Sequence, residues 1–198
     1  MYDKTELLGV KGSWSEVVDD CRATVGKESL GHDPSGQFKR SILIAEHSPI
    51  RDIRVRWRWR NILSWVATHW SRHKWECFIR TQRSDRTGIP RGKLPQGTPV
   101  AFVGEANAQN LIDTWRKRLC YQASPETRHY AEDFKAALHE TEPELSDVLV
   151  PNCVYRGGCP ELSPCGFWER FCPAEGTIQD RYGQYNALFY ERREERDV

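Results

Sequence analysis

Residues 69–86 concentrate side chains that bind anions: HWSRHKWECFIRTQRSDR holds five Arg or Lys, two His and one Cys. If residues 64–74 form one helix, His69, Arg72 and His73 lie at i, i+3 and i+4 and share a face. Because Arg and protonated His donate hydrogen bonds to phosphate oxygens, this face predicts an anion-binding site. A solvated helix surface is the open alternative.

The next segment surrounds Ser84, is bounded by Gly and Pro, and carries Arg83, Asp85 and Arg86. Planar guanidinium groups, a hydroxyl and backbone N–H groups within four residues suit a nucleotide monophosphate, which carries close to two negative charges. The segment therefore predicts a phosphate site. The alternative is a charged surface turn in which Asp85 pairs with a neighbouring Arg.

Length and charge bound the class of protein. A chain of 198 residues fits one domain, so we expect a single domain over residues 1–198. The net charge of +1 excludes a general polyanion binder, and any basic site must be local. No apolar run reaches eighteen residues, which predicts no membrane span. The N-terminus lacks a secretory pattern, which predicts a cytoplasmic protein with reduced thiols.

Four of the seven cysteines crowd the C-terminal third, namely Cys153, Cys159, Cys165 and Cys172. Their spacing matches no zinc finger or zinc ribbon. We therefore predict buried thiols and no metal site, with structural zinc as the alternative.

Apolar and cationic residues alternate over residues 53–60, where Ile53, Val55, Trp57 and Trp59 are separated by Arg. A period of two predicts a strand with one apolar and one cationic face. Arg interleaved with Trp is also typical of a platform for single-stranded nucleic acid. Strict alternation favours a core role for the Trp, because a stacked base needs Arg and Trp on one face.

The remaining pattern predicts alternating strands and helices. Further strands are expected at residues 5–10 and 100–103, and residues 84–96 should form a loop. Helices are expected at residues 13–25, opened by a capping box, and at 34–46, from 107, at 125–139 and at 144–150. From about residue 151 the chain is rich in Cys, Gly and Pro and should be irregular.

Three motifs in the centre of the chain resemble the flavin-dependent thymidylate synthases. Residues 72–74 (R-H-K) and 84–86 (S-D-R) correspond to the family's R-H-R and S-x-R signature. Residues 107–111 (N-A-Q-N-L), with Arg118 seven positions later, are similar to its N-A-R-S-L helix. Residues 47–49 (H-S-P) are similar to its H-x-T-P segment. The motifs occur in the family's order.

The resemblance implies an α/β (α+β) fold with a mixed sheet packed against long helices. It also implies a homotetramer whose active sites are shared between chains. The implied reaction methylates a pyrimidine deoxynucleotide monophosphate, dUMP to dTMP, with a one-carbon unit from methylenetetrahydrofolate and a hydride from FAD, which NADPH reduces. The protein would supply position and charge.

Carried onto this chain, the resemblance implies two sets of site residues. The cofactor-binding residues are His47, Ser48, Arg72, His73, Lys74, Asn107, Gln109 and Asp113. The substrate-binding residues are His69, Gln82, Arg83, Ser84, Arg86 and Arg118, of which Ser84 and Arg118 also take part in catalysis.

Departures from the family pattern keep other substrates open. Lys74 stands where the family usually has Arg, and the gap from His73 to Ser84 is two residues longer. One alternative is therefore a family variant that methylates or hydroxymethylates another pyrimidine nucleotide. The other is a non-enzymatic module that binds single-stranded nucleic acid through the Arg-rich strand, although we do not expect nucleic acid as a partner.

Cys77 allows two interpretations. A thiolate whose pKa is lowered by Lys74 and Arg80 would attack the pyrimidine ring, as in the unrelated folate-only thymidylate synthases. The expected alternative is an inert, half-buried thiol.

Overall fold

The structure is a computed structural model that describes residues 3–171 and 176–197. In this part of the chain, helices accompany a four-stranded sheet, so the predicted α+β class is confirmed. In chain order the elements are β1 (Glu6–Lys11), α1 (Trp14–Ala23), α2 (Gly36–Ile44), a 3-10 turn (Ser48–Asp52), β2 (Arg54–Leu63), α3 (Ser64–Trp70), β3 (Glu76–Ile79), α4 (Ser84–Thr87), a 3-10 turn (Arg91–Lys93), β4 (Pro99–Asn107), α5 (Ala108–Arg118), α6 (Pro125–His139), α7 (Pro143–Asp147), α8 (Asn152–Arg156), α9 (Phe167–Phe171) and α10 (Ile178–Asp197).

The sheet has the strand order β1-β2-β4-β3, and each neighbouring pair runs antiparallel. The expected mixed sheet is thus an antiparallel one over the described residues. Parallel neighbours require a crossover connection, whereas the segments that join these paired strands return the chain in the opposite direction. The two central strands lead directly into helices: α3 follows β2, and α5 follows β4.

The residues form two compact units. The first consists of Met1–Asp33 and Pro49–Asn110 and contains the sheet with α1, α3 and α4. The second consists of Pro34–Ser48 and Leu111–Val198 and contains α2 and α6 to α10. A single domain over residues 1–198 stays a prediction.

The alternating pattern of β2 builds the core of the first unit. Val55, Trp57 and Trp59 are fully buried, as the period of two predicts. The indole of Trp57 lies directly over Gly104 on β4, where an added Cβ would clash with the ring. The absence of a side chain at Gly104 therefore leaves the space that the Trp57 indole occupies in the core.

The core of the second unit is built on α6, whose bounds agree with the predicted 125–139. Tyr130, Phe134 and Leu138 are buried at four-residue spacing. The Trp115 ring lies 4.3 Å from that of Phe134, and its Nε1 donates a hydrogen bond to the carbonyl of Ala131. These contacts join α5 to α6 within this unit.

The C-terminal segment is less irregular than its composition predicts. Residues 157–166 lack helix and strand, but α8 precedes them, and α9 and the 20-residue α10 follow. A capping pair opens α10: Thr177 Oγ1 accepts from the N–H of Asp180, and the Asp180 carboxylate accepts from the N–H of Thr177. This T-x-x-D signal was present in the sequence and was missed.

Candidate functional site

The first unit contains an open cleft of about 450 Å³, a volume typical of small-molecule sites. It is formed by α3, the segment after β3 and the 3-10 turn that precedes β4. The residues that line it are Ser64, Trp65, Thr68, His69, Arg72, Gln82, Arg91, Leu94, Pro95 and Gln96. Three of them, His69, Arg72 and Gln82, were predicted as site residues from the sequence.

His69 and Arg72 both line this cleft, but they do not lie on one helix as predicted. The helix expected over residues 64–74 ends at Trp70, so His69 is helical and Arg72 lies in the following turn. The His69 ring contacts the Trp65 ring edge-on, with 5.4 Å between centroids. Arg72 is exposed, and its guanidinium is available to an anion in the cleft.

His73 and Lys74 do not line this cleft. The His73 ring packs 5.2 Å from Trp75, which in turn stacks on Trp70 at 5.8 Å. The Lys74 carbonyl accepts a hydrogen bond from Asn110 Nδ2 at 2.5 Å. The predicted shared face of His69, Arg72 and His73 is therefore wrong, because the Trp70–Trp75 stack ends the helix and turns the chain.

Gln82 presents a side-chain amide to the cleft. Ser64 Oγ donates a long hydrogen bond of 3.4 Å to its Oε1. Its Nε2 is buried and has no hydrogen-bond partner among the described residues. Since an unpaired buried polar group is costly, this nitrogen favours a ligand that brings an acceptor.

Residues 83–86, which were predicted to bind phosphate, have instead the geometry of the alternative, a charged surface turn in which Asp85 pairs with a neighbouring Arg. Arg83 donates two hydrogen bonds to the Asp85 carboxylate, at 3.0 and 2.8 Å, and Arg86 lies 3.7 Å from the same group. Ser84 Oγ accepts from the backbone N–H of Arg91 at 3.0 Å. These residues form the short helix α4 and the turn before it, not the predicted loop, and Ser84 holds the backbone of Arg91. The nucleotide role of Ser84, Arg83 and Arg86 stays a prediction.

Arg91 and its neighbours to Gln96 were missed from the sequence, which indicated only a loop. The breakers Gly88, Pro90 and Pro95 show that the chain changes direction there, but not where it leads. The only direct signal was an Arg placed between two of these breakers.

The Asn107 motif opens a helix. Asn107 Oδ1 accepts from the backbone N–H of Asn110 at 2.9 Å, which caps α5. Gln109 is half-buried on the first turn of the same helix. Their binding of a cofactor stays a prediction.

The other predicted residues belong to the second unit. His47 and Ser48 are exposed, and Arg118 is half-buried. Asp113 is exposed and pairs with Arg116 at 3.5 Å. Arg116 is the buried cation of α5, and it also contacts Glu46 and the Tyr155 ring.

Cys77 lies half-buried on β3, opposite Gly104. Burial raises the pKa of its thiol, in the direction opposite to that of an activated thiolate. This geometry favours the inert alternative over a nucleophile.

The cationic face of β2 is neutralised by carboxylates. Lys11, Arg54 and Arg56 surround Glu105 at 3.0 to 3.5 Å, and Arg58 and Arg60 pair with Glu6. The Lys11 hydrogen bond, with help from Arg54, holds the pKa of Glu105 below its usual range, although burial acts in the opposite direction. With its Trp buried and its Arg paired, this strand does not form a stacking platform.

Three of the C-terminal cysteines, Cys153, Cys159 and Cys165, line one small cavity of the second unit together with Cys120. Burial raises the pKa of the Cys153 thiol to about 12 and also raises that of Cys120. Among the described His, Cys, Asp and Glu side chains, no group of three or more is placed to hold a metal ion. Cys172 lies outside the described residues.

None of the described helices is both long and apolar enough to cross a membrane.

Comparison with known proteins agrees with the family resemblance. The family described as thymidylate synthase complementing protein matches residues 89–144, which include the Asn107 motif and Arg118. The fold is similar to that of PolB from Streptomyces cacaoi, a UMP/dUMP methylase whose crystal structure was determined with bound 5-Br dUMP. The TM-score is 0.58 at 15% identity, and the match covers 73% of this chain and 93% of that chain. No curated protein matches the sequence.

The family match includes one of the three motifs that carry the resemblance, the Asn107 motif with Arg118, whereas residues 47–49, 72–74 and 84–86 lie outside it. The fold match extends over most of the chain. The resemblance to this family is therefore confirmed over residues 89–144, and the fold of the chain is similar to that of the methylase.

Proposed function

We propose that the chain is a thymidylate synthase-like methyltransferase that acts on a pyrimidine nucleotide, converting dUMP to dTMP. The observation that carries this proposal is the cleft of the first unit, which combines His69, Arg72 and Arg91 with Gln82, whose buried Nε2 has no hydrogen-bond partner among the described residues. The similarity of the fold to that of a UMP/dUMP methylase supports the same class of substrate.

The cleft has the chemistry that a nucleotide monophosphate requires. The guanidinium group of Arg91 would bind the phosphate through charge-assisted hydrogen bonds. Gln82 Nε2 would donate to an acceptor on the sugar or base, which satisfies its buried N–H. The half-buried Trp65 gives one wall an apolar surface against which a ring can pack.

The proposed cofactors are FAD, NADPH and methylenetetrahydrofolate. The exposed guanidinium of Arg72 fits an anionic cofactor group, and Gln109 offers an amide on the first turn of α5. When bound, the reduced flavin supplies the hydride that turns the one-carbon unit into a methyl group. The overall reaction consumes dUMP, methylenetetrahydrofolate, NADPH and a proton, and it yields dTMP, tetrahydrofolate and NADP⁺.

The homotetramer with shared active sites is part of this proposal. It rests on the family resemblance. Light scattering should give a mass of about four times the 23.0 kDa of one chain. A mass of one chain at micromolar concentration would contradict shared sites.

UMP is the second candidate substrate, because the methylase of similar fold is described as acting on both UMP and dUMP. The two substrates differ only in the 2′-hydroxyl of the sugar. A direct comparison of the two nucleotides is therefore part of the test.

The decisive experiment measures product formation by the purified full chain. The protein is supplied with FAD, NADPH and methylenetetrahydrofolate and incubated with dUMP or with UMP, and the products are separated by chromatography. We expect a yellow protein and a methylated nucleotide that requires all three reagents. A colourless protein that takes up no FAD, forms no product and binds single-stranded DNA with steep salt dependence would overturn the proposal.

A further inference from the structure

The second unit contains a separate cavity of about 220 Å³. It lies between α2 and α10, and each helix turns an i, i+3, i+4, i+7 face toward it. The face of α2 extends from Gln37 to Ile44, and that of α10 extends from Gln179 to Asn186. Asp147 and Val148, at the end of α7, close the cavity on another side.

Two helix faces with this spacing normally fill the space between them with apolar side chains and leave few voids larger than a water molecule. Here five of the eight face positions hold polar residues and one holds a glycine, and only Ile44 and Tyr182 present apolar surface. Gly183 lies inside α10, where glycine destabilises a helix relative to alanine. A Cβ built on Gly183 would have no atom within 4 Å. Packing therefore does not require this glycine, and its missing side chain keeps the cavity open.

Asn186, which lines the same cavity, carries an unsatisfied acceptor. Its Nδ2 donates to the backbone carbonyl of Asp147 at 2.9 Å. Because a carbonyl only accepts, this bond fixes which end of the amide is the oxygen. Asn186 Oδ1 is then left buried without a hydrogen-bond partner among the described residues. Such an acceptor calls for a donor from a bound molecule.

The other walls suit a flat ring. Tyr182 and Val148 are buried and present apolar surface, and Ile44 is half-buried. Arg40 is half-exposed beside them, and its Nε lies 3.4 Å from the Asp147 carboxylate. A small cavity that combines buried apolar walls with a few polar groups is the usual form of a small-molecule site.

We propose that this cavity binds a small planar nitrogen heterocycle that donates an N–H hydrogen bond to Asn186 Oδ1 and packs against Tyr182 and Val148. The site lies within the second unit and does not depend on the nucleotide cleft of the first unit.

The test uses two xanthines as probes, theophylline and caffeine. They share one ring system, but theophylline carries an N–H where caffeine carries an N-methyl group. Binding to the full chain is measured by calorimetry and by saturation-transfer NMR. We expect theophylline to bind at least about tenfold more tightly than caffeine, because only theophylline can satisfy Asn186 Oδ1.

Variants on α10 locate the binding. Gly183→Leu should fill the cavity and weaken theophylline binding at least about tenfold, while the thermal midpoint stays unchanged or rises because leucine favours a helix. Gly183→Ala adds a single methyl group and serves as a milder version of the same test. Ala187→Leu adds bulk at an exposed position of the same helix and should bind as the parent does.

Three results would overturn the proposal. Absence of theophylline binding to the parent chain would mean that the cavity holds water only. Equal affinity for caffeine would remove the hydrogen bond to Asn186. Unchanged affinity in both Gly183 variants would place the probe elsewhere.

Discussion

Arg83 and Asp85 form a two-pronged ion pair on the surface of the first unit, with Nε to Oδ1 at 3.0 Å and Nη2 to Oδ2 at 2.8 Å. Their side chains are 65% and 55% exposed, so the pair contributes at most about 1 kcal/mol. The Arg83 guanidinium, which the sequence predicts to bind a phosphate, is thus paired with the Asp85 carboxylate in a weak interaction. A phosphate with close to two charges would compete with it.

The first prediction follows from this competition. If Arg83 serves the nucleotide phosphate, Asp85→Asn should tighten dUMP binding by up to about fivefold, because the guanidinium no longer has to leave a carboxylate. Calorimetry with dUMP measures the effect. Glu28→Gln removes an exposed carboxylate elsewhere in the same unit and should leave the affinity unchanged. An unchanged affinity in Asp85→Asn would remove Arg83 from the site.

The second prediction concerns Arg91, which lines the cleft and whose backbone N–H is held by Ser84 Oγ. Arg91→Ala keeps that backbone bond and removes only the guanidinium, so nucleotide affinity should fall at least about tenfold. Lys93→Ala, an exposed cation on the same 3-10 turn, is the matched control and should bind normally. Equal losses in both variants would indicate a general charge effect and no specific contact.

Local sequence patterns predicted the elements whose periodicity and end signals are complete. The four-residue spacing of α6, with its end signals, predicted both of its bounds, whereas the alternation over residues 53–60 predicted β2 but not its last three residues, which end at Leu63. The capping box of Ser13 and Glu16 is likewise present at the start of α1.

The candidate site was only partly predictable because tertiary contacts form it. The turn after α3 depends on Trp70 and Trp75, which stack at 5.8 Å and share a hydrogen bond from Trp75 Nε1 to the Trp70 carbonyl. No periodic pattern in the sequence predicts such a contact. Gln82 and Arg91 meet in the cleft through loops, and loop paths leave no repeat in the sequence.

The third prediction concerns Glu105, which is 9% exposed and accepts hydrogen bonds from Lys11 and Arg54. Glu105→Gln should lower the free energy of unfolding at pH 7 by about 1 to 3 kcal/mol, since it leaves these cations without their carboxylate. Urea unfolding of the parent and the variant gives the difference.

The difference in the free energy of unfolding between the parent and Glu105→Gln should depend on pH. The folded-state pKa of Glu105 lies below its ordinary value of 4.5, so the unfolded chain takes up the proton first as the pH falls. The stabilisation is complete above that value and is lost as the pH falls through the folded-state pKa. The two proteins should therefore converge in stability in acid. A difference that stays constant from pH 7 into acid would contradict the assigned role of the charge.

The last prediction concerns Lys135, which is fully buried in the second unit and has a pKa lowered to about 7 by burial. Its Nζ donates to the Ser146 carbonyl at 2.6 Å, and Ser146 Oγ donates back to the Lys135 carbonyl at 2.7 Å. Between pH 7 and the ordinary value of 10.5 the unfolded chain holds a proton that the folded chain has released. Stability contributed by this site should therefore rise with pH across that interval.

Lys135→Met keeps the volume and removes the titration. At pH 6 it should stabilise the second unit by about 1 to 3 kcal/mol, because no ammonium must be buried, although the Ser146 carbonyl loses its donor. The advantage should shrink as the pH rises from 7 toward 10, where the native lysine is already neutral in the folded chain. Lys117→Met, at an exposed position of α5, should show neither effect. Parallel pH profiles for the parent and Lys135→Met would mean that Lys135 stays charged in the folded chain, with Ser146 and the nearby Phe189 and Tyr190 rings stabilising the ammonium instead.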